Sequence, residues 1–112
     1  MTKHCCFILH DGFSLITLAA ITDAFFVANW QAGKSLYAWD TVSANGGKVL
    51  AFGNHAINTD PLETVSARKM DIVFAVASFD PHGLANAPGV GGFLRAAHRF
   101  GARVVGLETG GV

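Results

Sequence analysis

Three short apolar runs limit what this chain can become: Cys5-Cys6-Phe7-Ile8-Leu9, Ile72-Val73-Phe74-Ala75-Val76-Ala77 and Arg103-Val104-Val105-Gly106-Leu107. Each is strand-length and rich in β-branched or aromatic residues. Unbroken apolar strands are buried on both faces, as in a parallel sheet with helices on either side. Charged residues make up only 14% of the chain and hydrophobic ones 51%, which suits that burial. At 112 residues the chain is long enough for one domain with a core of its own.

The segments between the runs fit the same plan. Behind the first run His10-Asp11-Gly12 forms a turn, and Leu15 to Ala32 reads as a helix with Ser14 as N-cap and Gly33 just past its end. Its only polar residues are Thr17, Thr22, Asp23, Asn29 and Gln31, so burial by more than one neighbour is expected, in a deep position or a dimer contact. Leu36 to Ser43 is the second strand, and Asn45-Gly46-Gly47 makes a hairpin turn into a short strand around Lys48 to Phe52. Asp60-Pro61-Leu62-Glu63 has the acidic cap, proline and glutamate of a helix start. Ser78 to Gly89 is a loop, and Val90 to Phe100 a helix stopped by Gly101. The order β-α-β-(hairpin)-α-β-α-β predicts an α/β, flavodoxin-like parallel sheet with helices on both faces. Ligands sit at the strand carboxyl ends of such sheets. The covering helix expected after Leu107 is lacking, so the fold is expected to be incomplete at its C-terminus.

Several function classes recede on composition. Eight basic residues balance eight acidic ones, which gives these residues no electrostatic footprint for nucleic acid. The apolar runs are too short to span a bilayer, and His10 and Asp11 cut the first one too early for a signal peptide. Adjacent Cys5 and Cys6 make a poor disulfide, so two inert, reduced thiols in a cytoplasmic protein are expected. The five histidines have no metal-ligand spacing. Gly89-Val90-Gly91-Gly92 lacks the lysine and serine of a phosphate loop and the dinucleotide fingerprint, so it is a helix start. No metal and no cofactor are expected.

The chemistry is concentrated after the last run, in Leu107-Glu108-Thr109-Gly110-Gly111. A strand running into a Gly-rich turn can lift one side chain above the sheet, as in a nucleophile elbow. Glu108 is at the tip, and a carboxylate there is a poor nucleophile but a good acceptor for a ligand's donor. Capping of a following helix is the other account of Glu108. Thr109 lacks the base a threonine nucleophile needs, and Gly110 permits the turn. Asp11, Ser78 and Phe79, with Asp80, fall on the same rim. Carboxylates and an aromatic ring around one cleft suit a cationic ligand, although Asp11 and Asp80 also make turns and Phe79 also fits a core. The expected ligand-binding set is Glu108, Thr109, Gly110, Asp11, Ser78 and Phe79, with no catalytic residue.

Phe7-Ile8-Leu9-His10-Asp11-Gly12-Phe13-Ser14, Phe25-Phe26-Val27-Ala28-Asn29, Gly33 to Trp39, Asp71 to Pro81 and Gly106-Leu107-Glu108-Thr109-Gly110 together resemble the ThiJ/PfpI group of class I glutamine amidotransferase-like proteins. More narrowly, they resemble the amino-terminal domain of AraC-type transcription regulators. The resemblance covers residues 1–112 as the N-terminal part of such a domain. It implies that Glu108 replaces the cysteine of the enzymes, that Thr17 lies where some of them place an acid, and that Ala77-Ser78 replaces a Gly-Gly oxyanion site. It therefore implies a non-catalytic, ligand-sensing domain for a small amine, amino-acid-like or quaternary ammonium effector. DNA would be contacted only through a C-terminal helix-turn-helix module that this chain lacks, and a homodimer is expected. The alternatives are a ThiJ/PfpI-type hydrolase, hydratase or amidotransferase-like enzyme, and a pseudoenzyme that dimerises through its first helix.

Overall fold

The computed structural model describes residues 1–76, 78, 84 and 87–107. Six strands form one sheet: β1 (Lys3–Ile8), β2 (Tyr37–Ser43), β3 (Gly47–Leu50), β4 (Ala56–Pro61), β5 (Ile72–Val76) and β6 (Arg103–Leu107). Their spatial order is β3-β4-β2-β1-β5-β6, parallel except for the antiparallel β3–β4 pair. Helix α1 (Leu15–Ala32) covers one face, and α2 (Val90–Arg99) with two single-turn 3-10 helices (Leu62–Thr64, Ala67–Lys69) covers the other.

The alternation of β1 decides which side chain meets which layer. Cys5, Phe7 and Leu9 join Leu18 of α1 and Phe74 of β5, while Cys6 and Ile8 join Val90 and Ala97 of α2. Phe7 is wholly buried and stacks on Phe74, ring centroids 4.7 Å apart. Phe25 of α1 lies across both, 6.2 and 6.1 Å away, and stacks at 4.3 Å on Tyr37.

Helix α1 begins and ends where its sequence signals place it. Ser14 Oγ accepts from the Thr17 N–H at 3.4 Å, and Gly33 takes the left-handed φ of 67° that closes the last turn. Asn29 ties that end to β2. Its Oδ1 accepts from the N–H groups of Leu36 and Tyr37 at 2.8 and 2.9 Å, and its Nδ2 donates to the Tyr37 carbonyl at 2.9 Å. The expected burial on several sides is not found among the described residues. Leu18 is the one buried residue of the helix, whereas Ile16 is 80% exposed, Trp30 75% and Phe26 62%. By length and composition α1 could cross a membrane. Its packing against the sheet through Leu15, Leu18, Ile21 and Phe25 is that of a core helix with an open outer side.

Two other expectations are corrected. Asp60-Pro61 does not start a helix: both residues end β4, and only a 3-10 turn without a side-chain cap follows. Nor do β2 and β3 form a hairpin, because β4 lies between them, parallel to β2 and antiparallel to β3. Polar bonds hold β4 in place of an apolar stripe. Thr59 is buried, shares a 2.7 Å hydrogen bond with Ser43 and donates to the Gly47 carbonyl at 2.7 Å. Pro61, which cannot extend a ladder, is its last residue.

Candidate functional site

The chain leaves β1 toward β2 on one side and later returns to lay β5 on the other. This puts the topological crossover between β1 and β5, where sheets of this kind bind ligands at the carboxyl ends. The loop after β1 is built into that edge. The Leu9 N–H donates to the Val42 carbonyl at 2.8 Å, and Gly12 turns the chain with a φ of 86°. Phe13, wholly buried, bridges Ala51 on one side and Ser78 on the other.

Asp11 and Ser78 are brought together here. Ser78 Oγ donates to the Asp11 carbonyl at 3.1 Å. Asp11 Oδ1 accepts from the Leu50 N–H at 3.0 Å, so this carboxylate also anchors the end of β3. Beside the loop, a cleft of about 180 Å³ opens between the ends of β1 and β2, lined by His10, Asp11, Ser43, Asn45 and Lys48. Asn45 reads locally as a turn residue and Lys48 as a strand residue, not as site residues. The folding-back of β3 brings them to this rim, and nothing local in the sequence signals that placement. Glu108, Thr109, Gly110 and Phe79 lie outside the described residues, as do Ala77, Asp80 and His82. Glu108 follows directly on Leu107, the end of β6, whose partner in register is Val76.

The remaining candidates have structural roles. Thr17 shares a 2.9 Å hydrogen bond with the N-cap Ser14. Gly89 precedes α2 with a φ of 79°, consistent with a helix start. Among the described residues no group of three or more His, Cys, Asp or Glu is placed to hold a metal ion.

Cys5 and Cys6 are buried and free. Burial pushes the Cys5 thiol up to about 11, with the Asp71 charge adding to the effect. Burial pushes Cys6 up to about 12, with Asp40 adding to it. A thiol held protonated is a weak nucleophile. Both shifts favour the folded state fully below the ordinary value of 9.0, and this contribution is lost as pH rises through about 11 to 12. We expect thiol titration with Ellman's reagent at pH 8 to be slow in the native protein and fast in denaturant. Rapid native labelling would show that the thiols are not sealed in the sheet.

No family model matches the chain. The chain is 35% identical over 113 aligned positions to the HTH-type transcriptional regulator CdhR of Pseudomonas aeruginosa, an alignment covering 100% of this chain and 32% of that protein. It is 33% identical over 104 positions to the HTH-type transcriptional regulator GbdR of the same species, covering 93% of this chain and 28% of the relative. The chain thus spans about a third of the length of the curated relatives it matches. Among solved structures, an AraC family transcriptional regulator from Pseudomonas putida superposes with a TM-score of 0.79 at 19% identity, covering 93% of this chain and 63% of that one. Drosophila melanogaster DJ-1beta superposes with 0.77 at 22% identity, covering 95% and 55%. The fold is that of the DJ-1/ThiJ/PfpI proteins and of AraC-family regulators built on it, as the sequence resemblance implied.

Proposed function

We propose that this chain is the N-terminal part of the sensory domain of an AraC-like transcription regulator, and that it binds a small effector without transforming it. The observation that carries the reading is the 35% identity to a transcriptional regulator across the whole of this chain. In this reading the DNA-binding module belongs to a part of the regulator that these 112 residues do not cover, and the protein acts in the cytoplasm. The exposed stripe of α1 with Ile16, Phe26 and Trp30 supports a homodimer contact, since apolar patches of this kind commonly mark association surfaces.

The effector site proposed is the crossover edge, with Asp11 and Ser78 beside the segment Glu108-Thr109-Gly110 and Phe79. Glu108 stands where the resemblance places the enzymes' cysteine, and the two cysteines of the chain are held protonated inside the sheet. Both features support binding over acyl transfer. Carboxylates at Asp11 and Glu108 favour a cationic effector: a small amine, an amino acid or a quaternary ammonium compound.

The test is a thermal-shift screen with tetramethylammonium, ethanolamine and the amino acids, followed by titration of the best hit into wild type and Glu108→Gln. Removing one partner of a desolvated charge pair costs far more than removing an exposed one, so affinity should fall more than about tenfold. A cationic ligand that binds Glu108→Gln as tightly as wild type would remove Glu108 from the site.

A further inference from the structure

The crossover from β4 to β5 leaves a gap on the α2 side of the sheet. A full helix there would lay a continuous apolar stripe along the strands. The chain instead makes two single 3-10 turns, Leu62–Thr64 and Ala67–Lys69, with Val65 and Ser66 extended between them. A groove of about 470 Å³ opens between these turns and α2. Buried Leu62, with Val65 and Ala67, lines it from the turns, and Phe93 and Ala96 line it from α2. Val65, Ala67 and Phe93 pack against the core on this side yet stay only partly buried. Gly89, just before α2, keeps one end open: its φ is 79°, and a Cβ there would touch Leu62 Cδ2 at 3.9 Å. Glu63 is the one charged residue of the lining among the described residues. It is exposed, and its carboxylate has no hydrogen-bond or ion-pair partner among the described residues.

We propose that this groove is a second small-molecule site, and that it takes an organic amine with an apolar body, of the arylalkylamine class. Its volume falls within the roughly 300–1,000 Å³ of ligand pockets, and apolar walls with few polar groups are their usual lining. The aliphatic walls and the Phe93 ring suit a hydrocarbon body that ends in an aromatic ring. Glu63 supplies the sign. A free carboxylate beside apolar walls favours a ligand that carries an ammonium group and disfavours one that carries a carboxylate. Arg68, next to Ala67 in the chain, is turned elsewhere, over the Phe100 ring at 5.3 Å. The groove is separate from the crossover edge: of its described lining, only Ala44 also lines the cleft beside Asp11.

The experiment follows proton–nitrogen correlation spectra of this chain during titration with phenylbutylamine and with phenylbutanoate, which has a like hydrocarbon body and the opposite charge. The amine should shift the amide signals of Val65, Ala67, Gly89 and Ala96, and bind at least about threefold more tightly than the carboxylate. Glu63→Gln should weaken the amine about threefold to fivefold, near the ceiling for an exposed ion pair, and bring the two probes level. Ala96→Leu fills part of the groove with another good helix former. It should weaken both probes at least about fourfold, the contribution of one buried methylene, with unchanged circular dichroism. The effector site and the groove are read by different amides, so either can fail without the other. Equal affinity of wild type for amine and carboxylate would overturn the proposal, as would undiminished binding in Ala96→Leu. Amine shifts confined to Asp11 and Gly12, and lost in Glu108→Gln, would place the probe at the crossover edge and overturn it. Shifts of the groove amides that grow with protein concentration alone would seat a second copy of the chain there, and overturn it too.

Discussion

Phe7→Ala should cost about 3–5 kcal/mol of folding stability, since the side chain is wholly buried and leaves a cavity at the centre of the aromatic cluster. Stacking on Phe74 at 4.7 Å and contact with Phe25 at 6.2 Å add to the loss, because aromatic pairs are worth about 0.5–1.5 kcal/mol beyond their area. For a domain whose whole stability is about 5–15 kcal/mol, this removes a fifth or more of it. Urea denaturation followed by circular dichroism measures the change directly. Val104→Ala, at a β6 residue 38% exposed, is the comparison and should cost less than about 1 kcal/mol. A wild-type midpoint in Phe7→Ala would mean that the α1 layer does not depend on Phe7 for its packing.

The second large effect should come from Gly46. Its φ is 73°, and a Cβ added there would lie 2.7 Å from Pro61 Cγ and Cδ and 2.8 Å from Pro61 N. Left-handed geometry costs a non-glycine residue about 1–2 kcal/mol, and overpacking against a rigid ring about 1–3 more. Gly46→Ala should therefore lose about 2–5 kcal/mol. Gly47, at φ 77°, has nothing within 4 Å of its added Cβ. Gly47→Ala should show the conformational part alone, about 1–2 kcal/mol. Adding Pro61→Ala to Gly46→Ala should recover part of the difference. Equal costs at the two glycines would show that Pro61 does not press on the turn.

Local chemistry explains which parts of this fold could be read from the chain. Strands β1, β5 and β6 are continuous apolar runs, and α1 announces both its ends through Ser14 and Gly33. The stop at Gly101 was legible for the same reason, a left-handed φ of 94° that glycine accepts. Strand β4 was not legible, because Thr59 is satisfied by Ser43 and Gly47, more than ten residues away. Asp60-Pro61 has the residues of a helix cap, yet tertiary pairing with Val42 and Ser43 of β2 holds it in a strand. The outer side of α1 misled in the other direction, since an apolar helix implies neighbours that the described residues do not supply. At the candidate site, the placement of Asp11 and Ser78 followed from strand order alone.

The bonds around the first loop give the molecule a cooperative unit that crosses its topology. Ser78 holds Asp11, Asp11 holds Leu50, the Gly12 N–H donates to the Leu50 carbonyl at 2.7 Å, and the Phe52 N–H to the Phe13 carbonyl at 2.9 Å. Residues beside the central strands and the hairpin at the far edge of the sheet are therefore latched to one another without being neighbours in the ladder. Local opening of such a structure follows its bonds more closely than its strand order. Fraying of the β3–β4 edge would release Asp11 from one side, and a rim clamped from the Ser78 side would keep that distant edge closed.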